Sequence, residues 1–84
     1  GEMKMCMITV VDLKATGENI IRLREERGLS VKDLQEMFGF ATPQSIYKWQ
    51  QGQAIPTVDN LFTLAKIFEV SIEDIVVVDG LEER

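Results

Sequence analysis

The chain has no histidine and only one cysteine, Cys6. Without an imidazole, no side chain has an ordinary pKa near neutrality, and one thiol gives neither an internal disulfide nor a metal-holding cluster. The glycines lack the spacing of a phosphate-binding loop. Adjacent acids such as Glu73-Asp74 and Glu82-Glu83 diverge on a helix instead of converging on one substrate. No enzyme activity, metal or cofactor is therefore expected. Nor does any apolar run approach the roughly twenty residues that a membrane span needs. No signal-peptide pattern is present either, and with the lone cysteine this makes the expected location cytoplasmic, with no membrane partner. Proline is scarce, at two residues, which favours a folded and largely helical chain.

Positive charge is also short. The formal net charge is −5, which argues against generic attraction to phosphates. Its distribution softens that objection. From Glu69 onward six acids face Arg84 alone, whereas residues 1–68 balance to zero. The acidity belongs to the end of the chain, and a surface elsewhere can be locally positive.

Eighty-four residues allow one domain, which buries only about 60% of its unfolded surface. Residues 1–15 read as an N-terminal arm or strand, 16–78 as the folded domain and 79–84 as an acidic tail. Within the arm, Cys6 to Val11 is rich in β-branched residues and short enough for a strand, and Ile75 to Val78 is a second such run. The two could pair as a small antiparallel ribbon, within one chain or between two. A first helix is expected after Thr16, with Ile20, Leu23 and Arg27 along one face and Gly28 as its stop. Towards the other end, Thr57 caps a helix whose Leu61, Leu64, Ala65 and Phe68 keep the i, i+3, i+4, i+7 stripe of a core face. Ser71 then caps a short fifth helix, with Asp74 at the capping-box position and Ile72 and Ile75 inward.

The stretch between these helices carries the functional signal. Ser30 and Asp33 have capping-box spacing, Leu34, Met37 and Phe38 form an apolar face, and Gly39 stands where the helix must stop. Thr42 as N-cap and Pro43 at the first helical position restart the chain. Ile46 and Trp49 then point inward, leaving Gln44, Ser45, Tyr47, Lys48 and Gln51 outward. Two short helices around a tight glycine turn, the second with an amide-rich outer face, make the pattern of a DNA-binding helix-turn-helix. Gln can pair with adenine, Lys can reach guanine, and Ser and Gln can donate to phosphate oxygens.

The order GENIIRLREERGLS, VKDLQEMFGF, PQSIYKWQQG and IPTVDNLFTLAKIFEVSIEDIV resembles the Cro/CI-like, or XRE, family of helix-turn-helix repressors over about Thr16 to Val76. The resemblance implies an all-α, five-helix domain whose third helix enters the major groove, usually as a homodimer on a palindromic operator. Carried over by position, it implies base reading by Gln44 and Lys48, flanked by Pro43 and Tyr47. Phosphate contacts would fall on Ser45, Gln51, Gln53 and Val31. Val31 can offer only its backbone amide, and Lys32 beside it can supply charge.

Three positions depart from the family pattern. The turn is one residue longer at Thr42-Pro43, and Gln35 stands after Leu34 where alanine is usual. Together these are expected to set the third helix slightly farther from the second. At position 50, Gln50 replaces a common glutamate that would pair with Arg24. Arg24 and Gln50 are accordingly expected to keep a structural contact, beside Trp49, Leu34 and Ile46 in the interior. The expected function is a sequence-specific transcriptional regulator, a repressor, with double-stranded DNA and a second copy as partners. Helix 5 and the terminal Val-rich segments are the expected dimer contacts. The alternative is a protein-interaction module, antitoxin-like or an adaptor, that holds a protein partner.

Overall fold

The computed structural model describes residues 10–79, arranged as β1 (Val10–Val11), α1 (Leu13–Glu26), α2 (Val31–Phe38), α3 (Gln44–Gln50), α4 (Val58–Phe68), a 3-10 turn (Ile72–Asp74) and β2 (Val78–Asp79). Helix α1 starts at Leu13, earlier than the expected start after Thr16. Its cap is Asp12, whose carboxylate accepts from the Ala15 amide at 2.9 Å. Thr16, read from sequence as the boundary, is instead buried within the helix, and its Oγ1 accepts from the Val77 amide at 2.9 Å. Asn19, one turn on, donates from Nδ2 to the Ile75 carbonyl at 3.1 Å. Both side chains satisfy backbone groups of the chain's other end, tying it to α1.

Helix α2 begins at a reciprocal cap. Ser30 Oγ accepts from the Asp33 amide at 2.9 Å, and Asp33 accepts from the Ser30 amide at 2.8 Å. It ends at Gly39, whose φ of +72° is a conformation that glycine adopts without Cβ strain. Met37 does not join the core face assigned to it. It is 54% exposed, while Leu34 is fully buried and Phe38 packs against the interior. Phe38 stacks on Phe40 at 4.9 Å, and both meet Trp49 in T-shaped geometry at 5.5 and 6.0 Å. Phe40 thus anchors the turn in the core. Such aromatic pairs add about 0.5–1.5 kcal/mol beyond area burial.

Helix α4 is capped by Thr57 and buries Leu61, Leu64, Ala65 and Phe68. The fifth helix is not an α-helix. Only one 3-10 turn forms before the chain extends to lay Val78–Asp79 against Val10–Val11. Asp74 accepts from the amide and the hydroxyl of Ser71, both at 3.0 Å, and Ile75 is fully buried, so the cap and the anchor are present without the helix. The ribbon is antiparallel and lies within one chain, pairing Val10 with Asp79 and Val11 with Val78. Cys6 to Thr9, the rest of the expected strand, lies outside the described residues. Among the described residues the fold is therefore four α-helices with a two-stranded ribbon. No helix among the described residues is long and apolar enough to cross a membrane.

One close approach fixes how α1 meets α3. A Cβ on Gly17 would collide with the Trp49 carbonyl oxygen and lie 2.6 Å from that of Gln50. Glycine here lets two backbones touch where any side chain would separate them.

Candidate nucleic-acid interface

Seven residues make a helix too short to persist alone, and α3 is held by its surroundings. Ile46 and Trp49, three apart, are 0% and 4% exposed and fix its inner face. Arg24 on α1 donates from Nε to Gln50 Oε1 at 3.0 Å and from Nη1 to the Leu29 carbonyl at 2.7 Å. Its half-buried guanidinium is thereby engaged inside the fold, spanning the end of α1 and the last turn of α3. Gln35 donates from Nε2 to the carbonyls of Phe40 and Ala41, both at 3.3 Å. Its amide thus occupies acceptors that the longer turn leaves open.

The start of α3 differs by one position from the sequence reading. Pro43 stands at the N-cap and Gln44 is the first helical residue. The Thr42 hydroxyl accepts from the Gln44 amide at 3.4 Å, so the hydroxyl cap acts one residue earlier than expected. Pro43 has no amide to satisfy, which makes it tolerable there.

Gln44, Ser45, Tyr47 and Lys48 are exposed on the outer face of α3, with Tyr47 at 44%, and Pro43 is half-buried at its start. Gln51 and Gln53 are exposed after the helix, joined by a 2.9 Å bond from Gln53 Nε2 to Gln51 Oε1. Lys32 is exposed at the start of α2. Val31 packs against the core, and its amide has no acceptor among the described residues. Beside it, the Ser30 amide and hydroxyl hold the Asp33 carboxyl below its ordinary 3.8. An anion approaching this helix end meets the amides of Val31 and Lys32, which have no acceptor among the described residues, and the Lys32 ammonium, but also an ionised carboxylate.

Between Glu36 and Asp59 the chain carries one charged side chain, Lys48. The outer face of α3 and its flanking turns therefore hold amides, hydroxyls and one ammonium without a carboxylate to repel phosphate. Sequence reading missed a further cation. Lys14 in the first turn of α1 is exposed, and its backbone Cα would lie 3.0 Å from a Cβ on Gly52, which has φ +73°. The start of α1 thus lies against the turn between Gln51 and Gln53. The one sequence signal was Gly52 itself, a glycine where both a positive φ and a close approach are needed.

Comparison with known proteins agrees with this fold. The helix-turn-helix family model matches residues 20–75, most of the chain. The chain belongs to the XRE family of helix-turn-helix proteins. Among curated relatives of this XRE-family chain is the uncharacterised HTH-type transcriptional regulator y4dJ of Sinorhizobium fredii. It is 35% identical over 63 residues, which cover 75% of this chain and 80% of the relative. The restriction-modification controller protein C.AhdI from Aeromonas hydrophila superposes with a TM-score of 0.68 at 23% identity, over 76% of this chain and 96% of that one. The DNA-binding domain of BldD gives 0.66 at 21% identity, over 79% and 94%. At that identity the two structures establish the shared fold.

Proposed function

We propose that this XRE-family chain is a sequence-specific DNA-binding transcriptional regulator, a repressor, that acts as a homodimer and lays the outer face of α3 in the major groove. The carboxylate-free, exposed face of Gln44, Ser45, Tyr47 and Lys48 is the observation that carries this reading. Gln44 and Lys48 read base edges, with Pro43 and Tyr47 shaping the start and middle of the contact. Ser45, Gln51, Gln53, Lys32 and the Val31 amide position the protein on phosphates, and Lys14 adds charge beside Gln51 and Gln53. A regulator relative and the match to a DNA-binding domain support the assignment. Two copies would set their α3 helices about 34 Å apart, one turn of duplex.

The test starts from a selection of bound sequences out of randomised duplex. Lys48→Ala and Gln44→Ala should each weaken binding to the selected site by about 1–3 kcal/mol, and binding to random duplex far less. Equal losses on both would remove the base-reading assignment. Exposed apolar side chains on α4 favour a protein contact as well, which is the second reading. Absence of duplex binding even at low salt would leave a protein-interaction module as the function.

A further inference from the structure

The two most exposed large apolar side chains among the described residues are Val58, at 66%, and Phe62, at 57%. They stand four apart on α4, one turn over the other, about a quarter turn around the helix from the stripe of Leu61, Leu64 and Phe68. Ile55, 39% exposed, lies just before the helix. A large aromatic ring left in water on an otherwise well-filled small domain marks a contact surface. We infer that this face is the self-association surface of the chain, with two α4 helices packed antiparallel about a two-fold axis at Phe62.

The charges choose the occupant. Asp59 and Lys66 flank Phe62 three residues before and four residues after it, both on the exposed side of the helix and without an ion-pair partner among the described residues. An antiparallel pair of α4 helices centred on Phe62 sets Asp59 of each copy opposite Lys66 of the other. A surface complementary to itself under a two-fold operation is what an isologous dimer requires. Other partners would need a matching pattern of their own, whereas a second copy already carries it. The expected contact at helix 5 has less to offer, because Ile75 is fully buried and Ile72 packs against the chain's own core. The α4 face shares no residue with Gln44, Ser45, Tyr47 and Lys48. It rests on the homodimer reading above and specifies its interface. One helix face falls well short of the about 800 Å² per partner of a standard interface, so the dimer is weak alone and strengthened by joint binding to one duplex.

Sedimentation of the full chain without DNA, up to about 1 mM protein, provides the test. The wild-type mass should rise from monomer to dimer, and Phe62→Glu should leave a monomer throughout. Asp59→Lys and Lys66→Asp should each weaken association about tenfold, and the double swap should recover to within about threefold of wild type. Thermal melts by circular dichroism verify that each variant is folded, and the charge swaps carry the test should Phe62→Glu fail to fold. A wild type that stays monomeric, a dimer unmoved by these changes, or a double swap as weak as its parents overturns the inference. Duplex binding is read separately. A monomer that still prefers its selected site sinks the interface alone, and a swappable dimer that ignores duplex sinks the DNA reading alone.

Discussion

Alanine at position 17 should destabilise the protein, although helix propensity alone says the reverse. Gly17 sits inside α1, where alanine is favoured over glycine by about 1 kcal/mol. Against that gain stands the α1–α3 contact. The added carbon would lie 2.6 Å from the Gln50 carbonyl oxygen and 2.9 Å from its carbon, and closer still to the Trp49 carbonyl oxygen, where ordinary contact begins at 3.4 Å. These are backbone atoms of a helix and cannot swing aside as a lysine tip would. Relief requires moving α3 away from α1, which strains the Arg24–Gln50 bond and the Trp49 packing together. Overpacking of this kind costs about 1–3 kcal/mol, occasionally more, and with little room to yield the upper end applies. The net loss is then about 2 kcal/mol, a large fraction of the stability of a small domain. At about 4–8 °C per kcal/mol for a chain of this size, the melting temperature should fall by about 8–16 °C. Trp49 is the sole tryptophan, 4% exposed and at the contact, so its fluorescence in urea reports the transition directly. An unchanged or raised midpoint would refute the argument that this crossing depends on a missing side chain.

Three further outcomes follow from the same structure. Gln50→Glu should turn the 3.0 Å charge-to-neutral bond with Arg24 into an ion pair and raise stability by about 0.5–1 kcal/mol; a lower melting temperature would show that the pocket needs the neutral amide. The carboxyls of Asp33 and Asp74 are held below their ordinary 3.8 chiefly by the backbone amides of Ser30 and Ser71, and then by those serines' hydroxyls. Their stabilisation is present above that value and lost as pH falls through the depressed folded pKa. Melting temperature should therefore drop below about pH 4, and Asp33→Asn with Asp74→Asn should flatten that acid limb; an unchanged limb would place the titration elsewhere. If Lys14 and Lys32 of two copies each neutralise a phosphate, the slope of log K against log salt should be about −4, and the monomer alone should give about half of that. Lys14→Ala should shrink the dimer's slope by about two, and an unaltered slope would remove Lys14 from the interface.

Most of the helical frame was legible because it rests on local chemistry. Ser30 with Asp33, Gly39, Thr57 and the stripe Leu61, Leu64, Ala65 and Phe68 act within a few residues of themselves, and the structure places them as read. Misreadings arose where the partner is distant in sequence. Thr16 reads as lying before the helix because the pattern cannot show that Val77 returns to its hydroxyl. The fifth helix shrank to one turn because the chain's next task is to pair with Val10–Val11, a competition no local propensity reveals. Met37 had the right spacing for a core face, but α2 is already filled there by Leu34 and Phe38. Gly17 and Lys14 owe their importance to elements more than thirty residues away, which approach them only once the chain has folded.

On the proposed function, the same long-range contacts decide how an acidic protein could read DNA with one ammonium on α3. Weak general attraction leaves discrimination to amide geometry, and bidentate hydrogen bonds tolerate little misplacement. A seven-residue helix cannot supply that rigidity from its own backbone. It is supplied from three directions: Gly17 against the carbonyls of Trp49 and Gln50, Arg24 on Gln50, and Gln35 on the carbonyls of the preceding turn. The Phe38, Phe40 and Trp49 cluster closes the remaining side. Specificity on this reading is set as much by what holds α3 from behind as by Gln44 and Lys48 in front. Changes at Gly17 or Gln35, which touch no nucleotide, should then blur the preference between selected and random duplex before they abolish binding.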